Sequence, residues 1–210
     1  MCGKISGTLL AIILTTLIAP RIFADDKDVL LQDNFATLDP GWSNNSNVLH
    51  VDKNQLIMQL PNKQDTFDSL YKANVFGDAD ISVDVQMMNG GDGTEYAGPI
   101  FWATDIDNEY VVRIEEDGQF SVGRYSNGKL LFPVTWRAND SISKGLTKPT
   151  TIRVVTKGTS ATVYVNGKEA ITFKRQPPDG GGFIGVEGSA SGKSAYAWEF
   201  SNLVVKKPAP

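Results

Sequence analysis

Three Asx-Gly pairs, each set between runs of alternating apolar and polar side chains, constrain the fold of this chain more than any other feature. Asp117-Gly118 separates residues 110–115 from 120–124, Asn127-Gly128 separates the latter from 130–136, and Asn166-Gly167 separates 162–165 from 169–173. Asp, Asn and Gly tolerate positive φ at both central positions of a type I′ turn, whose twist matches that of paired strands. The spacing therefore predicts antiparallel hairpins rather than parallel strands, which need long crossovers. Further strand-like runs cover residues 29–35, 55–60, 69–75, 79–88, 99–103, 151–156, 182–187 and 196–205. In the fourth of these, Ile81, Val83 and Val85 alternate with Asp80, Ser82 and Asp84, the pattern of a sheet wet on one side. Gly180 to Gly182 precede a strand and lack the strand-to-helix setting of a nucleotide loop. No amphipathic helix interrupts the series, and 20 glycines and ten prolines supply the turns. Strands at this density predict an all-β fold of two packed antiparallel sheets, and 210 residues suit one such domain.

The amino terminus stands apart. Lys4, the apolar run 9–19 and Pro20 lead to Ile22-Phe23-Ala24, which reads as a signal peptide over residues 1–24 with the domain over 25–210. The run is shorter than the roughly 20 residues a spanning helix needs. A periplasmic or secreted location is expected, with no membrane attachment after cleavage. Cleavage removes Cys2, the only cysteine, and with it any disulfide or thiolate metal site. It also removes Lys4 and Arg21, leaving 18 basic against 24 acidic side chains, a formal charge of −6. That sign argues against nucleic acid as a partner, because phosphate backbones call for a basic face.

Several strings occur together in a telling order: Asp33-Asn34-Phe35 with Gly41-Trp42, Ile100-Phe101-Trp102 with Asp107-Asn108-Glu109-Tyr110, Tyr164-Val165-Asn166-Gly167, Gly182-Phe183-Ile184-Gly185, and Trp198-Glu199-Phe200-Ser201-Asn202. In this the chain resembles the concanavalin A-like lectin/glucanase superfamily, and within it the exported 3-keto-disaccharide hydrolase or glycoside-hydrolase-16-like domains. The resemblance implies a curved two-sheet jelly-roll sandwich whose concave face contacts sugars, with glycosidase activity in some branches. The laminarinase-type Glu-x-Asp-x-x-Glu strand is missing: Arg113-Ile114-Glu115-Glu116-Asp117 has another spacing. Where many relatives carry Phe-Asp-Asn, this chain has Phe200-Ser201-Asn202, which removes a calcium ligand.

Side chains suited to sugar binding are flat rings for pyranose C–H faces, with amides, guanidinium groups and carboxylates for hydroxyls. Trp102, Arg113, Glu115, Arg124, Tyr125 and Trp136 meet that description on consecutive strands. Parity puts Tyr110, Val112 and Ile114 on one face and Val111, Arg113 and Glu115 on the other, and the charged face is expected to meet solvent. A carbohydrate-binding domain without chemistry of its own is the expected function. A glycoside or 3-keto-disaccharide hydrolase and a structural, partner-binding envelope protein are the alternatives. No catalytic set is visible within any strand: Glu115 and Glu116 are consecutive and face opposite ways, and Asp80 and Asp84 are about 13 Å apart on a regular strand, too far for a glycosidase pair. His50 is the only histidine, so a histidine zinc cluster is excluded. No cofactor is required, although calcium suits the oxygen ligands of Asp105, Asp107, Asn108 and Glu109, and of Asp92.

Overall fold

The computed structural model describes residues 26–43, 47–61, 64–88, 94–191 and 196–210. The segment read as a signal peptide and Asp92 lie outside them. Among the described residues fourteen strands form two antiparallel sheets, the expected jelly-roll sandwich.

One sheet has eight strands. Along it run β12 (Lys168–Lys174), β11 (Ser160–Val165), β10 (Thr150–Lys157), β5 (Asp80–Met87), β14 (Tyr196–Lys206), β3 (Gln55–Leu60) and β2 (Leu49–Asp52). The eighth, β1 (Val29–Asp33), joins the same edge of β14 as β3: residues 196–200 pair with β3, and residues 203–206 pair with β1. Asn202, at φ 53, lies at the break between the two stretches. The other sheet has six strands in the order β4 (Gln64–Phe76), β13 (Gly182–Ser191), β6 (Tyr96–Asp105), β7 (Asn108–Glu115), β8 (Gln119–Ser126) and β9 (Lys129–Ala138).

The hairpins follow the turn residues. Asn127 and Gly128 have φ 50 and 72, and Asn166 and Gly167 have φ 48 and 78, as a type I′ turn requires. Asp117-Gly118 differs, because only Gly118 has positive φ, at 93. Asp117 Oδ1 instead accepts from the Gln119 amide at 3.0 Å, an Asx turn that holds Asp117 out of the left-handed region and lengthens the loop to three residues. The turn between β2 and β3 uses Lys53 and Asn54 at φ 49 and 61. It lacks glycine, which is why neither it nor β2 was evident in the sequence.

Apolar side chains of both inner faces make one core, with Trp198, Phe200, Val83 and Ile152 from the eight-stranded sheet and Phe101, Val112, Ile114 and Phe120 from the six-stranded sheet. Asp80 and Asp84 lie on the opposite, wet face of β5, where Asp80 pairs with Arg153 and Asp84 accepts from Thr151 and Asn202. The outer face of the six-stranded sheet is unlike that wet face. Leu70, Ile100, Ala103 and Val111 form a second buried apolar cluster there, beside a group of buried charged side chains.

Candidate functional site

That charged group is built across the sheet. Asp68 on β4 pairs with Glu187 on β13, and Glu187 pairs with Gly98 on β6. The register that sets Ala97 against Ile114 places Gly98 opposite Arg113, and Arg113 pairs with Ser121 on β8. Gly98 has no side chain to block the way from Arg113 to Glu187. None would fit, since a Cβ there would fall 1.9 Å from the Val112 carbonyl oxygen. A Cβ at Gly123 would come 3.2 Å from Arg113 Cζ. The two glycines thus clear the lane that the guanidinium occupies.

Arg113 donates from Nε to Glu187 Oε1 at 2.6 Å and from Nη2 to Glu187 Oε2 at 2.8 Å. Nη2 also donates to the Tyr125 hydroxyl at 3.1 Å. The guanidinium lies 4.5 Å over the Tyr96 ring and 5.6 Å from the Tyr125 ring, with Phe132 at 6.0 Å. Trp136 extends this aromatic group, its ring 6.0 Å from that of Tyr96.

Asp68, Glu109 and Glu187 bring one carboxylate oxygen each to within 4.8 Å of one another. Glu109 and Glu187 are buried, at 1% and 0% exposure, while Asp68 is half-buried. Both oxygens of Glu109 and Oδ1 of Asp68 have no hydrogen-bond partner. Burial, then the charge of Glu187, pushes the Asp68 carboxyl up to about 8. Burial, then Asp68 and Glu187, pushes Glu109 up to about 10. Burial works against the Arg113 charge, but Glu187 outweighs it and holds the guanidinium above its ordinary value. Burial followed by Glu187 raises the Tyr125 hydroxyl to about 12. At neutral pH the centre therefore combines one tight ion pair with two protonated carboxyls. Asp68 is the member that titrates nearest neutrality and lies nearest solvent, a combination suited to passing a proton. Three hard oxygen donors at this spacing are also a ligand set that a calcium or magnesium ion accepts, with Arg113 competing for Glu187.

The residues expected from the sequence divide into three groups. Arg113, Tyr125 and Trp136 meet at this centre. Trp102 and Arg124 lie in a neighbouring crevice that Tyr125 and Glu109 also line. Glu115 lies at the margin, opposite Tyr96; its carboxyl is pushed up to about 7 by burial and then by Asp117 and Glu95, not by the carboxyl trio. The expectation that the Arg113 face meets solvent is corrected: Arg113 is only 1% exposed, because Glu187 neutralises it and aromatic rings cover it. Tyr110 is in the core, as parity predicted.

The acidic loop named for calcium is hydrogen-bonded within itself and to the neighbouring turn. Asp105 accepts from Asn108 Nδ2 and the Asp107 amide, and Asn108 Oδ1 accepts from the Asn127 amide. Glu109 leaves the loop and joins the trio. Asp68, Glu187 and Tyr96 were missed. The available signal was Glu187 itself, a lone acid among small and apolar residues in Gly185-Val186-Glu187-Gly188, where only a buried partner makes a carboxylate tolerable.

Comparison with known proteins agrees with this architecture. Three solved structures share the fold at low identity. The carbohydrate binding module CBM66 from Bacillus subtilis has a TM-score of 0.64 and 14% identity, covering 79% of this chain and 95% of that one. The Bacillus licheniformis beta-glucanase gives 0.61 and 14%, with coverage of 85% and 98%. The laminarinase catalytic domain from Thermotoga maritima gives 0.65 and 10%, with coverage of 87% and 98%. No curated protein matches the chain in sequence. One family model spans residues 27–206, most of the chain, and by that match the chain belongs to the 3-keto-alpha-glucoside-1,2-lyase-like domain family.

Proposed function

We propose that the outer face of the six-stranded sheet binds a carbohydrate and that its carboxyl centre moves protons on it, in the 1,2-elimination that the family description names. The observation that carries this reading is the convergence of Asp68, Glu109 and Glu187 from three strands to within 4.8 Å beside Arg113. Tyr96, Phe132 and Trp136 offer ring faces for a pyranose. In a 3-keto glycoside the ketone acidifies the C2 proton. Asp68, when ionised, accepts that proton; the C1–O bond breaks, its electron pair leaves with the aglycone oxygen, and a C1=C2 double bond conjugated with the ketone forms. The departing oxygen takes a proton from a neutral carboxyl, for which Glu109 is placed and protonated. Arg113 and Glu187 hold the site's charge and shape.

A binding domain without chemistry is the second reading. What favours it is the depth of Glu109 and Glu187, both at 1% exposure or less. Incubating the mature protein with a 3-keto α-glucoside separates the two. Elimination yields a glycone lighter by one water than the hydrolysis product, read by mass spectrometry. Asp68→Asn is expected to abolish turnover while retaining binding, and turnover of the parent is expected to rise with pH toward about 8, as Asp68 ionises. Ligand bound but intact supports the second reading, and no binding overturns both.

A further inference from the structure

The carboxyl trio holds more charge than its neighbours balance. Asp68, Glu109 and Glu187 are three carboxylates beside one guanidinium, that of Arg113, so two negative charges are left over when every group is ionised. Charge this deep is tolerated only where it is compensated. Arg113 is committed to Glu187 through both of its oxygens, which leaves Asp68 and Glu109 uncompensated. Among the described residues no other ion pair reaches the trio. One divalent cation would bring the balance to zero.

Glu109 supplies a second, independent sign. It is 1% exposed, and neither of its oxygens has a hydrogen-bond partner, nor has Oδ1 of Asp68. Buried polar atoms are almost always paired. Glu109 and Arg113 share one face of β7 by parity, so this unpartnered carboxylate is aimed to the side where Asp68 and Glu187 lie, and it converges with them to within 4.8 Å. Two oxygens on one ion lie no further apart than twice the metal–oxygen distance, about 4.6–5.2 Å for calcium and about 4.0–4.2 Å for magnesium. A spread of up to 4.8 Å is therefore within calcium's reach with every strand in place. Glu187 can face an ion without leaving Arg113, because a carboxylate has about four acceptor sites and the guanidinium uses one on each oxygen.

We infer that the trio is a calcium site. Glu109 through its two unpartnered oxygens, Asp68 through Oδ1 and Glu187 through one oxygen are the protein ligands. Water entering beside half-buried Asp68 fills the rest of the roughly six to eight positions that calcium takes. The place is distinct from Phe200-Ser201-Asn202, which lies on β14 of the other sheet. The site itself does not depend on the proposed function, but it bears on it. Calcium there occupies the oxygens that accept and donate protons, so the cation is expected to inhibit the elimination; that consequence rests on the proposed function.

Titration calorimetry of the chelator-treated, dialysed mature protein with calcium chloride tests this in the absence of any sugar. One calcium per chain is expected, with a dissociation constant of about 0.1 mM. At about 10 mM calcium the melting temperature should rise by roughly 5–10 °C. Asp68→Asn and Glu109→Gln should each weaken binding at least about tenfold, since even the residues behind metal ligands contribute that much. Either variant provides the test if the other fails to fold. Asp105→Asn, on the acidic loop, should leave the affinity unchanged. No binding at about 10 mM calcium, an affinity that neither trio variant changes, or loss of binding in Asp105→Asn overturns the site. Turnover is read separately: calcium bound while a 3-keto α-glucoside stays intact overturns the proposed function alone, and turnover by a protein that binds no calcium overturns the calcium site alone.

Discussion

Replacing Glu109 with Gln should stabilise this protein at neutral pH, and by an amount that depends on pH in a defined way. Glu109 is 1% exposed, and its carboxyl is pushed from an ordinary 4.5 to about 10 by burial and by its two acidic neighbours. The folded protein therefore holds a proton that the unfolded chain releases above pH 4.5. Stability from this group is complete below 4.5 and declines as pH rises toward 10. At pH 7 the proton must be taken up across two and a half units, at about 1.4 kcal/mol per unit, a folding cost of up to about 3 kcal/mol. Glutamine has nearly the same shape and needs no proton, so Glu109→Gln removes that cost. Its amide N–H groups also face carboxyl oxygens that can accept. The assay is urea unfolding of parent and variant between pH 4.5 and 8, in chelator, since a bound cation would replace the proton. The advantage of the variant should be near zero at pH 4.5 and approach about 3 kcal/mol at pH 7, a melting shift of roughly 6–12 °C for a chain of this size. A difference independent of pH, or a variant less stable throughout, would refute the assignment of a buried neutral carboxyl at this position.

Two further outcomes are expected, the first from the structure and the second from the sequence alone. Arg113→Met strands the Glu187 carboxylate at 0% exposure and should cost about 3–5 kcal/mol; adding Glu187→Gln should recover most of that loss, whereas additive losses in urea midpoints would show that the pair is not a unit. Export of the full chain should yield a product whose first residue is Asp25, read by amino-terminal sequencing, and an intact Met1 on the exported protein would contradict cleavage after Ala24.

Much of the sandwich was readable because its determinants are local. Asn127-Gly128 and Asn166-Gly167 specify their turns by the φ that they tolerate, and the alternation in residues 80–85 specifies which face of β5 is wet. Parity on β7 correctly sent Tyr110 to the core and grouped Arg113 with Val111. It could not say what lies over that second face, so the inference from charge to solvent failed at Arg113. The failure is physical: a charged group can be buried when an opposite charge and hydrogen bonds replace water, and Glu187 is 74 positions further along the chain.

The carboxyl trio was hidden for the same reason. Within one strand, neighbouring acids face opposite ways and acids four apart are too distant, and no described strand carries two acids two positions apart, so no single strand supplies a pair for a centre. Asp68, Glu109 and Glu187 come from β4, β7 and β13, which the sheet order places within reach of one another. Sequence by itself determined the class of fold, the hairpins and the two-faced strands, because turn preference and two-residue periodicity act between neighbours. Only the tertiary structure decided which acids share a site and which charges are buried, because pairing distant strands sets those distances and shuts out the water that would otherwise keep every carboxyl ionised.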